Sequence, residues 1–110
     1  MNIDQVLDEY SKMCDGYATA RAHRTYLEEY KKSLLALLMK GAELKGHKTV
    51  SAQEREAYSD NEYIAWLGNL KVAVEEEERL RYHIKKTEME IEVWRSREAT
   101  NRFERKAYGA

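Results

Sequence analysis

The sequence predicts an all-α fold, a long antiparallel helical hairpin of coiled-coil type with a short helix in its connection. Three observations predict it. The 110-residue chain has no proline and only five glycines, too little punctuation for strands joined by frequent turns. Apolar residues recur at steps of three and four over two stretches far longer than ordinary globular helices. Charged residues make up 35% of the chain with a net charge of −1, and the two signs are finely mixed, as on solvated helix faces.

The first helix is expected over residues 3–45. Its apolar face reads Ile3, Val6 or Leu7, Tyr10, Met13, Tyr17, Ala20, Leu27, Tyr30, Leu34, Leu37 and Leu44. Asn2 or Asp4 can cap its start, and Asp8 and Glu9 suit the positive end of the helix dipole. Lys40 and Lys45 suit the other end, and Gly46 can supply the left-handed residue that closes it. Gly16 and Gly41 weaken the helix by about 1 kcal/mol each relative to alanine without ending it.

Residues 46–59 form the connection. Ser51 with Glu54, and Ser59 with Glu62, have capping-box spacing, so a short helix is expected over 52–58, with a fresh start at Ser59–Asp60. Fusion into one helix is the alternative. The second long helix is expected over 60–108, closed by Gly109. Its inward set is Tyr63, Leu67, Leu70, Val74, Glu77, Leu80, Ile84, Thr87, Ile91 and Trp94. Pairing Leu44 with Tyr63 places Leu37 near Leu70, Tyr30 near Glu77, Leu27 near Leu80, Met13 near Trp94 and Ile3 near Phe103. In that register the Tyr30 hydroxyl donates to the Glu77 carboxylate.

Near the connection the apolar surface is wider than one partner helix covers. A homodimer, with a four-helix bundle at that end, is the expected solution. Leu35, Leu38, Ile64, Trp66 and Ala73 are the candidate self-association residues, within a single domain spanning 1–110.

The function classes are narrowed by what is missing. Cys14 is the only cysteine, which excludes an intrachain disulfide and reads as a buried, reduced thiol. The start, MNIDQVLDEY, is acidic where a signal peptide is basic and then apolar. The run SLLALLM is far short of the roughly 20 residues of a membrane span, so a cytoplasmic protein with no membrane partner is expected. The run Glu75–Glu78 lacks the Glu-x-x-His spacing of bundle metal sites, because Leu80 stands three before His83. No cofactor or metal is expected. No serine or cysteine has a visible base and orienting group, and there is no glycine-rich phosphate loop. Neither catalysis nor a small-molecule substrate is expected.

The segment WRSREATNRFERKAY is locally basic, and Arg95, Arg102 and Lys106 share one helical stripe flanked by Arg105. Arg95, Arg102, Arg105 and Lys106 are therefore the candidate phosphate-tracking residues, with Tyr108 able to stack on a base. The competing reading pairs these arginines with Asp4, Asp8 and Glu9 across the hairpin.

Through AQEREAY, the Tyr63–Leu67–Leu70 spacing and the closing WRS and NR, the region from Ser51 to Tyr108 resembles small helical proteins of bacteriophages and prophages. The resemblance implies an accessory protein working in the host cytoplasm, on DNA metabolism or on a host or phage protein. The combined expectation is a non-enzymatic, self-associating interaction protein, with DNA binding as the alternative.

Overall fold

A computed structural model describes residues 1–109. It is all-α: among the described residues the elements are α1 (Ile3–Leu44), α2 (Val50–Ser59) and α3 (Asn61–Ala107). Their ends show why the chain breaks where it does. The Gln5 N–H donates to Asn2 Oδ1 at 3.2 Å, so Asn2 caps α1. At its other end the Gly46 N–H reaches the Glu43 carbonyl and the His47 N–H reaches the Ala42 carbonyl, both at 3.1 Å. That paired closure requires a left-handed residue, and Gly46 supplies it with φ 105°.

The short helix is capped differently from expectation. Thr49, not Ser51, is its N-cap, with extended backbone and an oxygen that accepts from the Ala52 N–H at 3.1 Å. The boundary with α3 is made by Asp60 rather than Ser59. The Asp60 N–H bonds to the Ala57 carbonyl, while its carboxylate accepts from the Glu62 N–H at 2.8 Å. Ser59 is still helical, so its hydroxyl turns back to the Arg55 and Glu56 carbonyls.

The chain packs as two compact units, residues 19–77 and residues 1–18 with 78–109. In the first, α1 and α3 lie antiparallel and α2 covers the last turns of α1. Leu27, Leu34, Trp66 and Ala73 form its core, with Leu38, Tyr63 and Leu70 packed against them. The Trp66 Nε1–H donates to the Leu27 carbonyl at 2.9 Å, which ties the two helices together. Ala42 and Ala57 are both buried, the small side chains that let α2 approach closely. Tyr58 meets the Tyr63 ring edge-on at 5.1 Å, and Tyr63 meets Trp66 at 5.4 Å.

In the second unit the start of α1 lies against the later part of α3. Ile3, Val6, Tyr10, Met13 and Tyr17 are half-buried, as are Leu80, Ile84, Thr87, Ile91 and Trp94. Gly16 faces Leu80, whose methyls would stand 3.9 Å from a Cβ added there. No large side chain in either unit is fully buried, because two helices seal only a narrow strip.

The antiparallel pairing is present, but its register is not the expected one. Glu77 meets Arg24 rather than Tyr30. Leu80 meets Gly16 rather than Leu27, and Leu27 shares a core with Trp66 instead. Leu37 and Leu44 are 61% and 82% exposed, and Phe103 is 72% exposed rather than packed on Ile3. The physical reason is α2. It takes the place beside the last turns of α1 that the expected register assigns to the start of α3, so α3 begins about two to three turns further along. The seam on α3 also steps differently, through Tyr63, Trp66, Leu70, Ala73 and Glu77. Trp66 and Ala73 are therefore hairpin core, not an outer association face, and Leu67 is half exposed.

Candidate functional site

The polar layer in the seam is the most specific feature. The Glu77 side chain is only 9% exposed, and its carboxylate accepts from Arg24 Nη1 at 2.9 Å. Arg24 also donates from Nε to Glu28 at 2.9 Å, one turn along the same helix. Its pKa is raised above the ordinary arginine value, first by the bond to Glu28 and then by that to Glu77. Inward placement of Glu77 is legible from spacing. Its partner is not, because an arginine at a seam position reads as a break in the apolar face.

Two flanks of the hairpin in unit 19–77 carry exposed apolar groups. Ile64 and Leu67, 55% and 50% exposed, stand one residue past the seam positions Tyr63 and Trp66, and half-buried Leu35 and Met39 one past Leu34 and Leu38; Tyr58 of α2 is 48% exposed. On the other flank Tyr30, Leu37 and Leu44 stand seven apart, the spacing of one line along a helix. Tyr26 stacks on Tyr30 with ring centroids 6.1 Å apart. Of the candidate self-association residues, Leu35 and Ile64 lie on the first flank. Leu38 packs against the core, and Trp66 and Ala73 are inside it.

In the unit formed by 1–18 and 78–109, a groove of about 900 Å³ runs along α3 past Tyr82, Met89, Val93 and Trp94, with Lys85, Lys86 and Arg97 on its rim. Arg81 and Lys85 both sit over the Tyr82 ring, at 4.8 and 5.6 Å. Tyr10 has its pKa raised, first by a side-chain hydrogen bond with Cys14 and then by the nearby charge of Glu88.

The basic residues at the end of α3, Arg95, Arg97, Arg102, Arg105 and Lys106, are all exposed. Arg95 pairs within its own helix, with Glu92 at 2.9 Å, and Asp8 pairs with Lys12 at 3.2 Å. Among the described residues, no pairing of these cations with Asp4, Asp8 or Glu9 across the hairpin is formed. Arg102, Arg105 and Lys106 lie on the solvent side, and the last two occupy the last turn of α3, where a cation complements the helix dipole. In the acidic run, Glu78 pairs with Arg81 at 2.6 Å. Among the described residues no group of three or more His, Cys, Asp or Glu side chains is placed to hold a metal ion. No described helix is long and apolar enough to cross a membrane. Comparison of the chain with protein-family models, with curated proteins and with solved structures finds no match.

Proposed function

We propose that this is a non-enzymatic interaction protein, a helical hairpin that pairs with a second copy and presents its remaining surface to a host or phage protein in the cytoplasm. One observation carries the reading. The seam of unit 19–77 is already filled by Trp66, Leu27 and Leu34, yet Ile64 and Leu67 remain about half exposed on α3, and Leu35 and Met39, one residue past the seam on α1, are only half-buried. An apolar strip spanning two helices beside a completed seam is the surface a four-helix bundle closes. In this dimer Leu35 and Ile64 keep the role expected of them, and Leu67 and Met39 replace Trp66 and Ala73.

Sedimentation velocity across a concentration series tests it. The intact chain is expected to sediment as a dimer, and Ile64→Glu with Leu67→Glu as a folded monomer. A chain that stays monomeric at high concentration ends the proposal.

The alternative reading, a nucleic-acid-binding accessory protein, is favoured by the exposed cations Arg102, Arg105 and Lys106, with Arg95 beside them. Its test is the salt dependence of DNA retention. Binding that tracks phosphates weakens steeply with salt, and changing Arg102 and Lys106 to glutamine lowers the salt slope by about one per lost contact. No retention at low salt leaves the protein-partner reading alone.

A further inference from the structure

We infer that two copies of this chain also meet through the solvent side of α3, antiparallel about the Thr87–Glu88 bond, with the basic segment 81–86 of each on the acidic segment 87–92 of the other. The contact is separate from the face at Ile64 and Leu67 and does not depend on the dimer proposed there.

In the unit formed by 1–18 and 78–109, α3 carries apolar residues on two faces. Ile84, Thr87, Ile91 and Trp94 are half-buried on the side of α1. Tyr82, Met89 and Val93 stand two residues from Ile84 or Ile91, about 200° around the helix, and are 60%, 70% and 49% exposed. With Lys86 they step by four, three and four, the spacing of a second seam on a helix that already has one. Lys86 can join such a seam through its aliphatic stem. All four line the groove of about 900 Å³.

Charge identifies the occupant. The segment RYHIKK, residues 81–86, holds Arg81, His83, Lys85 and Lys86, and TEMEIE, residues 87–92, holds Glu88, Glu90 and Glu92. A helix of uniform charge would meet like charge on one of the two segments. A parallel copy would set each segment on its own kind, which is destabilising. An antiparallel copy sets each on its opposite. In that alignment Tyr82 faces Val93 of the other copy and Lys86 faces Met89, each contact occurring twice by symmetry. Lys85 then flanks Glu92, and His83 flanks Glu90. Glu92 gives up only an exposed bond to Arg95 within its own helix, at little cost. Glu88, close to Tyr10 on the α1 side, adds to the field without touching the second copy.

From Tyr82 to Val93 the stripe covers about 18 Å of helix. That is short for the roughly 1,200–2,000 Å² that stable complexes bury, so the contact is weak and reversible by itself. It leaves Ile64→Glu with Leu67→Glu monomeric at concentrations where the intact chain dimerises. In the intact chain it adds a second, weaker step of association above the dimer.

Disulfide trapping in the full chain carrying Cys14→Ser, Ile64→Glu and Leu67→Glu reads this contact alone. One preparation also carries Tyr82→Cys and another Val93→Cys, both at exposed positions. In the antiparallel pairing the two copies of either residue stand about 16 Å apart along the axis, too far for a disulfide. Mixed at high concentration, the two preparations are therefore expected to give interchain product on the order of tenfold faster than either alone. Lys85→Glu with Lys86→Glu in both chains is expected to lower the mixed product on the order of tenfold. Keeping that change in the Tyr82→Cys chain and placing Glu90→Lys with Glu92→Lys in the Val93→Cys chain is expected to restore it. A single-cysteine preparation that cross-links as fast as the mixture overturns the inference. So does mixed product that charge reversal leaves unchanged, and so does the absence of product from the mixture.

Discussion

Removing either partner of the Arg24–Glu77 pair should destabilise the hairpin, but by unequal amounts. The inequality follows from exposure: the Arg24 side chain is 34% exposed and that of Glu77 is 9% exposed. Arg24→Ala leaves a covered carboxylate with no cation. Removing one partner from a fully buried pair costs about 3–5 kcal/mol, and some water enters the space the guanidinium leaves. The expected loss is therefore about 2–3 kcal/mol. Glu77→Ala leaves an arginine that still donates to Glu28 at 2.9 Å and reaches solvent, so the expected loss is about 1 kcal/mol. Glu77→Leu replaces the carboxylate with an apolar group of similar size at a seam position and should fall within about 1 kcal/mol of the parent, on either side. Urea unfolding followed by circular dichroism at fixed protein concentration measures all three. At about 4–8 °C per kcal/mol, Arg24→Ala should also lower the melting temperature by roughly 10–20 °C. A loss for Glu77→Ala equal to or above that for Arg24→Ala would refute the claim that desolvation of the carboxylate dominates this layer.

The other perturbations act at the joints of the chain. Ala57→Leu adds bulk at a site that is 1% exposed; it should cost about 1–3 kcal/mol in urea unfolding and raise hydrogen exchange in α2. Gly46→Ala places a Cβ on backbone with φ 105° and should cost about 1 kcal/mol in the same assay, whereas Gly16→Ala, inside α1 and with 3.9 Å to the Leu80 methyls, should stabilise by about 1 kcal/mol. Tyr10 is held above the ordinary tyrosine value by Cys14 and Glu88. A raised pKa favours the protonated form in the fold, so its contribution is intact below about pH 10 and lost as pH rises through the folded value. The absorbance difference between the intact chain and Tyr10→Phe should titrate later than the remaining tyrosines, and Cys14→Ala should bring it earlier.

The fold class, the two long helices and the break between them are legible in the residues because each has a local cause. Absent proline, threes-and-fours spacing, Asn2 at the start and Gly46 at the end all act within a turn or two. Alignment has no local cause, and there the reading fails. On α1 the rows Leu27–Tyr30–Leu34–Leu37 and Arg24–Leu27–Lys31–Leu34–Leu38 both satisfy helical spacing, and the first is more apolar. Apolarity therefore selects the wrong one. The structure takes the second, in which Arg24 meets Glu77 and Leu38 packs against the core of Leu27, Leu34, Trp66 and Ala73. The same error carries Trp66 and Ala73 outward and Leu67 inward, since on α3 a step of three or four from Tyr63 is equally helical. The row the structure uses is the one in which Arg24 meets Glu77 across 53 residues of chain. In a seam this regular, the charged residues that look like flaws in the apolar pattern carry most of the information about alignment, and they do so only when read on both helices together.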